Sequence, residues 1–482
     1  MPHPNPPNQA TGTSFERITP QHVAALQALV GESAVHVAED VLEIHSHDWT
    51  EDLRFRPEVV VQPRTPQATA ALLAYCHEHT LPVTPAGART GLSGGMLPVY
   101  GGVLLSLEKL NRIVEVDTRN LQLTAEAGAI VQHIQDAAAE KGLMYPPDPS
   151  SKGSCTIGGN IAENAGGAHA VKYGITKDYV LNLQVATPQG ELFWTGANVL
   201  KNSTGYNLTQ LMVGSEGTLG VVTQAVLKLV PAVPHNAVML VPFRVAEDAC
   251  RAVSAVFQAG IVPSALEFME ADAIRHAQDH LNIYPYDLTD VAAHLLVEVD
   301  GHDLEPILAT CADVAAILAE YGGGEALFAD SPDKKADLWR LRRSIGEAVK
   351  SGGNMYKEED TVVPRAELAN VLAYVKELGH AYGFRSVCYG HAGDGNLHVN
   401  ILRDDLDDPT WNETIPGAIV KLFQRVIELG GTLSGEHGLG WVQKRYVPLA
   451  LHGPGLSLRK AIKQVFDPKG ILNPGKIFPD EA

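Results

Sequence analysis

Two short stretches in the second half of the chain carry residue types that bind divalent ions and move protons: GHAGDGNLHVN (Gly390–Asn400) and SGEHGLG (Ser434–Gly440). His391, His398 and Glu436 supply two imidazoles and a carboxylate, a set that suits a divalent ion with coordination positions left open for substrate. His391 and His398 stand on either side of a Gly-rich turn, which predicts the two ends of a loop-to-strand passage. On spacing alone, in a chain with 19 histidines, structural histidines are the commoner outcome. His437 follows Glu436 directly, and an imidazole titrating near neutrality suits the removal of a hydroxyl proton. The alternative for His437 is to hold Glu436 or a cofactor, and Asp394 reads as a turn residue. Upstream, LWRLRRSIGEAVK and MYKEED offer cations for a substrate carboxylate in Arg340, Arg342, Arg343 and Lys357; most arginines on a helix are solvated, and neighbours at this spacing point different ways.

A second group of residues is built for backbone approach rather than side-chain chemistry. PAGARTGLSGG (Pro85–Gly95), the run Tyr145–Gly174 containing IGGNIAENAGG, and GSEGTLG (Gly214–Gly220) are three Gly-rich loops. Such loops leave N–H groups free to cradle phosphates, so together they predict one extended phosphate-bearing cofactor; the alternative is tight turns with glycines at positive φ. The chain has neither a strand followed by GxGxxG opening a helix nor a GxxxxGK[ST] loop, so a nicotinamide or nucleotide-hydrolysing reading lacks its main support.

IGGNIAENAGG and GSEGTLG, taken with the first loop, resemble the flavin-binding domain of the vanillyl-alcohol-oxidase-type flavoproteins, in the branch holding D-lactate dehydrogenase, D-2-hydroxyglutarate dehydrogenase and the glycolate oxidase flavoprotein subunit. The resemblance runs from about Phe55 to Phe478. It implies FAD, with Pro85, Gly87, Ala88, Arg89, Thr90, Gly91 and Ser93 at the pyrophosphate. Pro147, Asp148, Ser154, Gly158, Gly159, Asn160, Asn164, Gly166 and Gly167 would lie along the cofactor. Glu216, Gly217, Val221 and Val222 would lie toward the adenine end, with Asn473 returning from the C-terminus. The first loop lacks the histidine that tethers flavin in some branches, so the FAD is expected to be non-covalent. The resemblance further implies a zinc-like divalent metal on His391, His398 and Glu436, His437 as base, Asn400 beside them, and Arg342 and Lys357 as carboxylate anchors. A threonine of the 2-hydroxyglutarate branch is replaced here by Gly346, which weakens the case for a second, distal carboxylate.

These groups must be positioned by a mixed α+β chain. Thr19-Pro20 and Thr65-Pro66 each set a capping hydroxyl before an N1 proline and predict helix starts. VVVQP, LPVTPAG, GVLLSL and QLTAEAG read as strands, and Ile130–Lys141 as a helix ended by Gly142. AVMLVPF, a helix over Ala246–Ala259, HLLVEVDG and a helix through Leu318 suggest a second α+β layer. The expected organisation is an N-terminal tail and helix over 1–54, a two-part FAD-binding domain over 55–234, a separate α+β substrate domain over 235–410, and a C-terminal helical segment over 411–482 returning to the flavin.

Composition limits the partners. With 37 basic and 56 acidic residues the net charge is −19, which argues against nucleic acid or an anionic membrane surface. The five scattered cysteines give no disulfide framework and no metal-thiolate spacing, so a reducing compartment is expected. No apolar run reaches the ~18 residues of a membrane span. The opening MPHPNPPNQATGT reads as a disordered tail rather than a signal or transit peptide. The expectation is therefore a cytoplasmic FAD-dependent D-2-hydroxy acid dehydrogenase, with peripheral membrane attachment through its acceptor as the alternative location. Its electrons would go to an electron-transfer flavoprotein, a quinone or an iron–sulfur subunit, and homodimerisation stays open. The alternative functions are the flavoprotein subunit of a multi-subunit glycolate oxidase and a non-redox FAD-dependent group transferase of the same fold.

Overall fold

The computed structural model describes residues 14–50, 53–351 and 355–480; the tail expected over the first 13 residues lies outside them. The chain divides into two compact units. The first comprises Met1–Ala165, Ile175–Ala232 and Glu436–Ala482, and the second Gly166–Gly174 and Val233–Gly435.

In the first unit, strands β1 (Val35–His36), β2 (Val59–Val61), β3 (Val83–Ala86) and β4 (Val103–Ser106) form a sheet of order β1-β2-β4-β3. Its two pairings among β2, β4 and β3 run parallel, while β1 adds antiparallel at the edge. The helix Pro66–Glu78 makes the crossover from β2 to β3, and Thr65 accepts its Ala68 N–H as the sequence requires. Thr19 likewise caps the helix Pro20–Val30. A second, antiparallel sheet takes β5 (Ile113–Asp117), β6 (Gln122–Glu126), β8 (Val180–Ala186), β9 (Leu192–Trp194) and β10 (Val221–Lys228), in the order β5-β6-β10-β8-β9. The short strands β7 (Leu143–Met144) and β11 (Val230–Pro231) pair with each other. Apolar side chains of both sheets, with Ile157 and Ile161 of the helix Ile157–Glu163, bury one continuous core.

The second unit is a seven-stranded antiparallel sheet. Its strands are β12 (His235–Phe243), β13 (Ala265–Glu270), β14 (Ala293–Gly301), β15 (Leu327–Phe328), β16 (Tyr356–Val362), β17 (Arg385–Gly390) and β18 (Asn396–Leu402), in the order β15-β12-β14-β13-β17-β18-β16. Helices Ala271–Leu281 and Pro332–Ser351 pack on one face, over Met269, Leu296, Val387 and Tyr389. Helices Ala246–Gln258, Leu304–Glu320 and Leu368–Tyr382 cover the other face.

The unit boundaries differ from the sequence expectation in two places. Residues 411–435, grouped there with the C-terminal segment, fall in the second unit, because the amphipathic helix Ile415–Glu428 buries its apolar stripe against the helix Leu368–Tyr382 and β16. The segment Gly166–Gly174, read as part of the flavin loop, also belongs to the second unit. There His169 Nε2 meets Glu298 Oε1 at 3.2 Å and Tyr173 donates to Asp300 at 2.6 Å.

His294 on β14 lies in the covered face, and burial pulls its imidazole down to about 4. Because the folded side chain binds its proton less tightly than the unfolded one, its contribution is complete above the ordinary value of 6.5 and declines as pH falls toward 4. The full difference is worth about 3 kcal/mol. Urea midpoints should drop between pH 7 and pH 5, and His294→Phe should flatten that drop; an unchanged slope would place the pH sensitivity elsewhere.

Candidate active site

The first and third Gly-rich loops, and the second as far as Ala165, meet within the first unit, while Gly166 and Gly167 fall in the second unit. The first loop leaves β3 at Ala86 and turns at Arg89, whose φ is +61°, so the arginine occupies a left-handed position more often given to glycine. Its guanidinium pairs with Glu108 at 3.3 Å. A Cβ on Gly87 would stand 2.4 Å from Thr156 Oγ1, so the bare backbone of this loop lies against the capping side chain of the helix Ile157–Glu163. Gly158 and Gly159 divide the labour that their shared motif suggested. A Cβ on Gly158 would collide with Ala127 at 2.7 Å, and its N–H donates to Ala127 O, so its bareness serves helix-to-strand packing. Gly159 faces only Thr156 Oγ1 within 4 Å, which leaves room on the ligand side.

The third loop is sewn to the second by Gly214 N–H to Ile161 O at 2.9 Å and Glu216 N–H to Ala162 O at 2.8 Å. The C-terminal return closes the group. Asn473 donates to Gly95 O at 2.9 Å and to Glu216 O at 2.7 Å, bridging the first and third loops. The Glu216 carboxylate accepts from Leu439 N–H at 2.8 Å and Gly440 N–H at 2.6 Å. Other expected cofactor residues have structural partners of their own. Asp148 pairs with Lys152 at 2.6 Å, Pro147 O accepts from Gln135, Ser154 donates to Ser151 O, and Asn164 ends the helix at φ +57° while accepting from Lys177 N–H. Gly91 O accepts from Trp49 N–H, and Val221 and Val222 open β10. Ser93 Oγ and Asn160 Nδ2 are buried without a hydrogen-bond partner among the described residues, a condition that a polar cofactor in the cradle would relieve.

Sequence reading passed over the charges beneath this cradle. Burial, with Glu216 and Asp48 nearby, pushes the Glu163 carboxyl well up, and burial pulls the Lys476 ammonium down to about 7. Lys476 donates to Leu97 O at 2.6 Å and to Asn473 Oδ1 at 3.2 Å. Glu163 stood inside the IGGNIAENAGG motif, but nothing in its spacing distinguished a buried acid from a solvated one.

In the second unit the strand period of two sorts the remaining residues. Register pairs Asp360 and Tyr389 with His398, and Glu358 and Val387 with Asn400, so these side chains share the face covered by the helix Pro332–Ser351. Lys357 pairs with Ile401 and therefore lies on the opposite face, its Nζ 4.8 Å from the Trp411 ring centroid. The sequence expectation that Lys357 joins Arg342 as an anchor is not met by this geometry, because one step along a strand reverses the side. His391 follows β17 and His398 lies in β18, on either side of the short turn Ala392–Asp394. Their rings are 5.5 Å apart, with ring nitrogens within 4.8 Å.

Each imidazole has a carboxylate at Nδ1. Glu267 lies 2.8 Å from His391 Nδ1, and Asp360 lies 3.4 Å from His398 Nδ1. Asp360 also accepts from Asn396, Ser434 Oγ and Gly435 N–H, which fixes the chain up to the residue before Glu436. Arg342, 4 % exposed, is the buried arginine of its helix; Arg340 pairs with Asp337 at the surface and Arg343 lies over Trp339. Arg342 Nη2 makes a 2.7 Å charge contact with Glu267, and its guanidinium carbon is 5.2 Å from the Tyr389 ring centroid. Glu436 and His437 begin the first unit's last segment, with His437 Nε2 3.8 Å from Glu436 Oε1.

One unit of sheets tied by Gly-rich loops and a second with buried histidines and an arginine are consistent with a flavoprotein oxidoreductase, the class that the family matches show. Residues 57–196 match the FAD binding domain family, and residues 233–477 match the C-terminal domain of FAD linked oxidases. The chain belongs to this family of FAD-dependent oxidoreductases. It is 37% identical over 468 residues to the D-lactate dehydrogenase of Anaerostipes hadrus, covering 96% of this chain and 98% of that protein. It is 37% identical over 446 residues to the glycolate oxidase subunit GlcD of Bacillus subtilis (strain 168), covering 91% and 93%. Its fold is that of p-cresol methylhydroxylase with substrate bound, at TM-score 0.79 and 18% identity over 97% of this chain and 99% of that one.

Asn473→Ala should loosen the joined loops, since it leaves two buried carbonyls without their donor at about 1–3 kcal/mol each. The expected result is weaker FAD binding and a lower melting temperature of the FAD-loaded protein. Titration of the apoprotein with FAD giving the wild-type constant would contradict that role.

Proposed function

We propose that this chain oxidises a D-2-hydroxy acid of the D-lactate or glycolate class to the 2-keto acid, with assistance from a divalent metal. The observation that carries the reading is the set on one sheet face: buried Arg342 beside His391 and His398, each imidazole backed by a carboxylate. Arg342 has five donors; Nη2 is in charge contact with Glu267, and Nε makes no hydrogen bond among the described residues. A substrate carboxylate fits that deficit, and a guanidinium holds it in a fixed plane.

The bond of His391 Nδ1 to Glu267 leaves Nε2 as the lone-pair nitrogen of that ring, the arrangement common to metal-binding histidines, and Asp360 lies near Nδ1 of His398. Glu436 is one peptide bond from the anchored Gly435, within ~3.8 Å Cα to Cα, which suits it as the third ligand. A zinc-like ion there would polarise the 2-hydroxyl. FAD, when bound, supplies the two-electron acceptor for the hydride leaving C2. Arg342 orients the acid, His437 takes the hydroxyl proton on a ring nitrogen, and Asn400 offers a neutral amide on the face of His398. The FAD is held without a covalent bond. Its electrons leave to an external acceptor, and the similarity to a glycolate oxidase subunit favours a protein partner as that acceptor.

Anaerobic mixing with a panel of D- and L-2-hydroxy acids should bleach the flavin with D-lactate or glycolate and not with L-lactate; bleaching confined to another substrate class overturns the reading. Denaturation should release intact FAD. Chelation or His398→Ala should abolish turnover while the flavin spectrum persists, and full activity of metal-free enzyme would remove the metal from the mechanism.

Arg342→Ala and His437→Ala separate anchoring from proton transfer. The first should raise KM strongly and also slow flavin reduction. The second should lower kcat about 10²- to 10⁴-fold with a smaller effect on binding. Stopped-flow flavin reduction at the wild-type rate in His437→Ala would show that another group is the base.

A further inference from the structure

The strand β13 reads ALEFME, and its third residue places a carboxylate where an aliphatic side chain would be the ordinary occupant of a covered sheet face. The Glu267 side chain is 1 % exposed. Burying an ionised carboxylate is costly unless partners replace its water. Its partners are His391 Nδ1, at 2.9 and 2.8 Å from the two oxygens, and Arg342 Nη2 at 2.7 Å.

Glu298, on the neighbouring strand, shows what a structural carboxylate looks like in the same sheet. It meets four donors: His169 Nε2 at 3.2 Å, Ser264 Oγ at 3.1 Å, Trp339 Nε1 at 2.8 Å and Asn236 Nδ2 at 3.2 Å. Those groups tie strands and helices together. Glu267 instead joins two residues of the proposed site.

We propose that Glu267 is a positioning residue, which fixes through one carboxylate both the tautomer of His391 and the direction of the Arg342 guanidinium. The inference rests on the reading of His391 as a metal ligand and Arg342 as the acid's anchor. A carboxylate only accepts, so His391 Nδ1 carries the ring proton and Nε2 presents its lone pair. The same carboxylate holds Nη2 of Arg342, setting the guanidinium plane and leaving the Nε edge without an acceptor among the described residues. Metal affinity and acid affinity therefore share one support, though neither ligand touches it.

Glu267→Gln keeps the volume and one accepting oxygen but removes the charge. With FAD-loaded protein stripped of metal, Zn²⁺ affinity is measured by competition with a chromogenic chelator, and oxalate affinity of the metal-free protein by calorimetry. The expected result is a loss of about 10- to 100-fold in Zn²⁺ affinity and a clear weakening of oxalate, with the FAD constant unchanged. Zn²⁺ and oxalate constants both within twofold of wild type overturn the proposal, as does weakened FAD binding and thermal stability with both constants preserved.

If the wild type takes up no Zn²⁺, the metal reading fails and the oxalate arm alone decides Glu267. Should Glu267→Gln not fold, ¹⁵N-histidine spectra of the metal-free wild type, assigned with His391→Gln, give the decision. A proton on Nδ1 of His391 supports the proposal and a proton on Nε2 overturns it.

Discussion

The alternation of a β-strand is the constraint on which the second unit's chemistry depends. β18 reads NLHVNIL, and its period of two puts Asn396, His398, Asn400 and Leu402 on one side and Leu397, Val399 and Ile401 on the other. Pairing then carries that division across the sheet, through Tyr389 on β17 and Asp360 on β16, until a polar set lies under the helix Pro332–Ser351. A slip of one residue would exchange the two faces and place Val399 where His398 stands. The apolar face packed by three helices holds the register, so the burial of ordinary valines and isoleucines determines where the imidazoles point.

The first unit solves a different problem, the gathering of loops that lack a core of their own. Loop backbone cannot be buried unless each N–H and C=O finds a partner. Here Asn473 and Glu216 supply them: one side chain donates to two loop carbonyls, and the other accepts two N–H groups from the C-terminal return. The return therefore does more than extend the domain; it completes the hydrogen bonding of loops placed far earlier in the chain. Burial pushes the Glu163 carboxyl and the Lys476 ammonium toward their neutral forms, which lowers the cost of holding them inside the unit.

The two histidines of the second unit each lie close to a buried acid. An imidazole is useful to a metal or a proton only in one tautomer and one orientation, and at His391 a buried acid on Nδ1 sets both. In His391 and His398 the supporting acids come from different strands, Glu267 from β13 and Asp360 from β16. The ring positions are thus tied to the width of the sheet rather than to the loop between them.

By itself the sequence determined the features whose causes are local. Thr19 and Thr65 cap helices because a hydroxyl before an N1 proline needs no distant partner. The Gly-rich motifs identified the cofactor class, since bare backbone and special φ values are written in residue type. The passage between His391 and His398 was legible as a turn for the same reason. Tertiary structure alone decided what depends on pairing and burial. YKEEDTV carries no apolar alternation, so nothing in it announced β16, yet pairing with β18 makes it a strand and turns Lys357 away from His398. Glu163, Glu267 and Lys476 look in the sequence like the solvated charges that most acids and lysines are. Only the packing of distant segments removes their water, and with it creates the partners that give each of them a role.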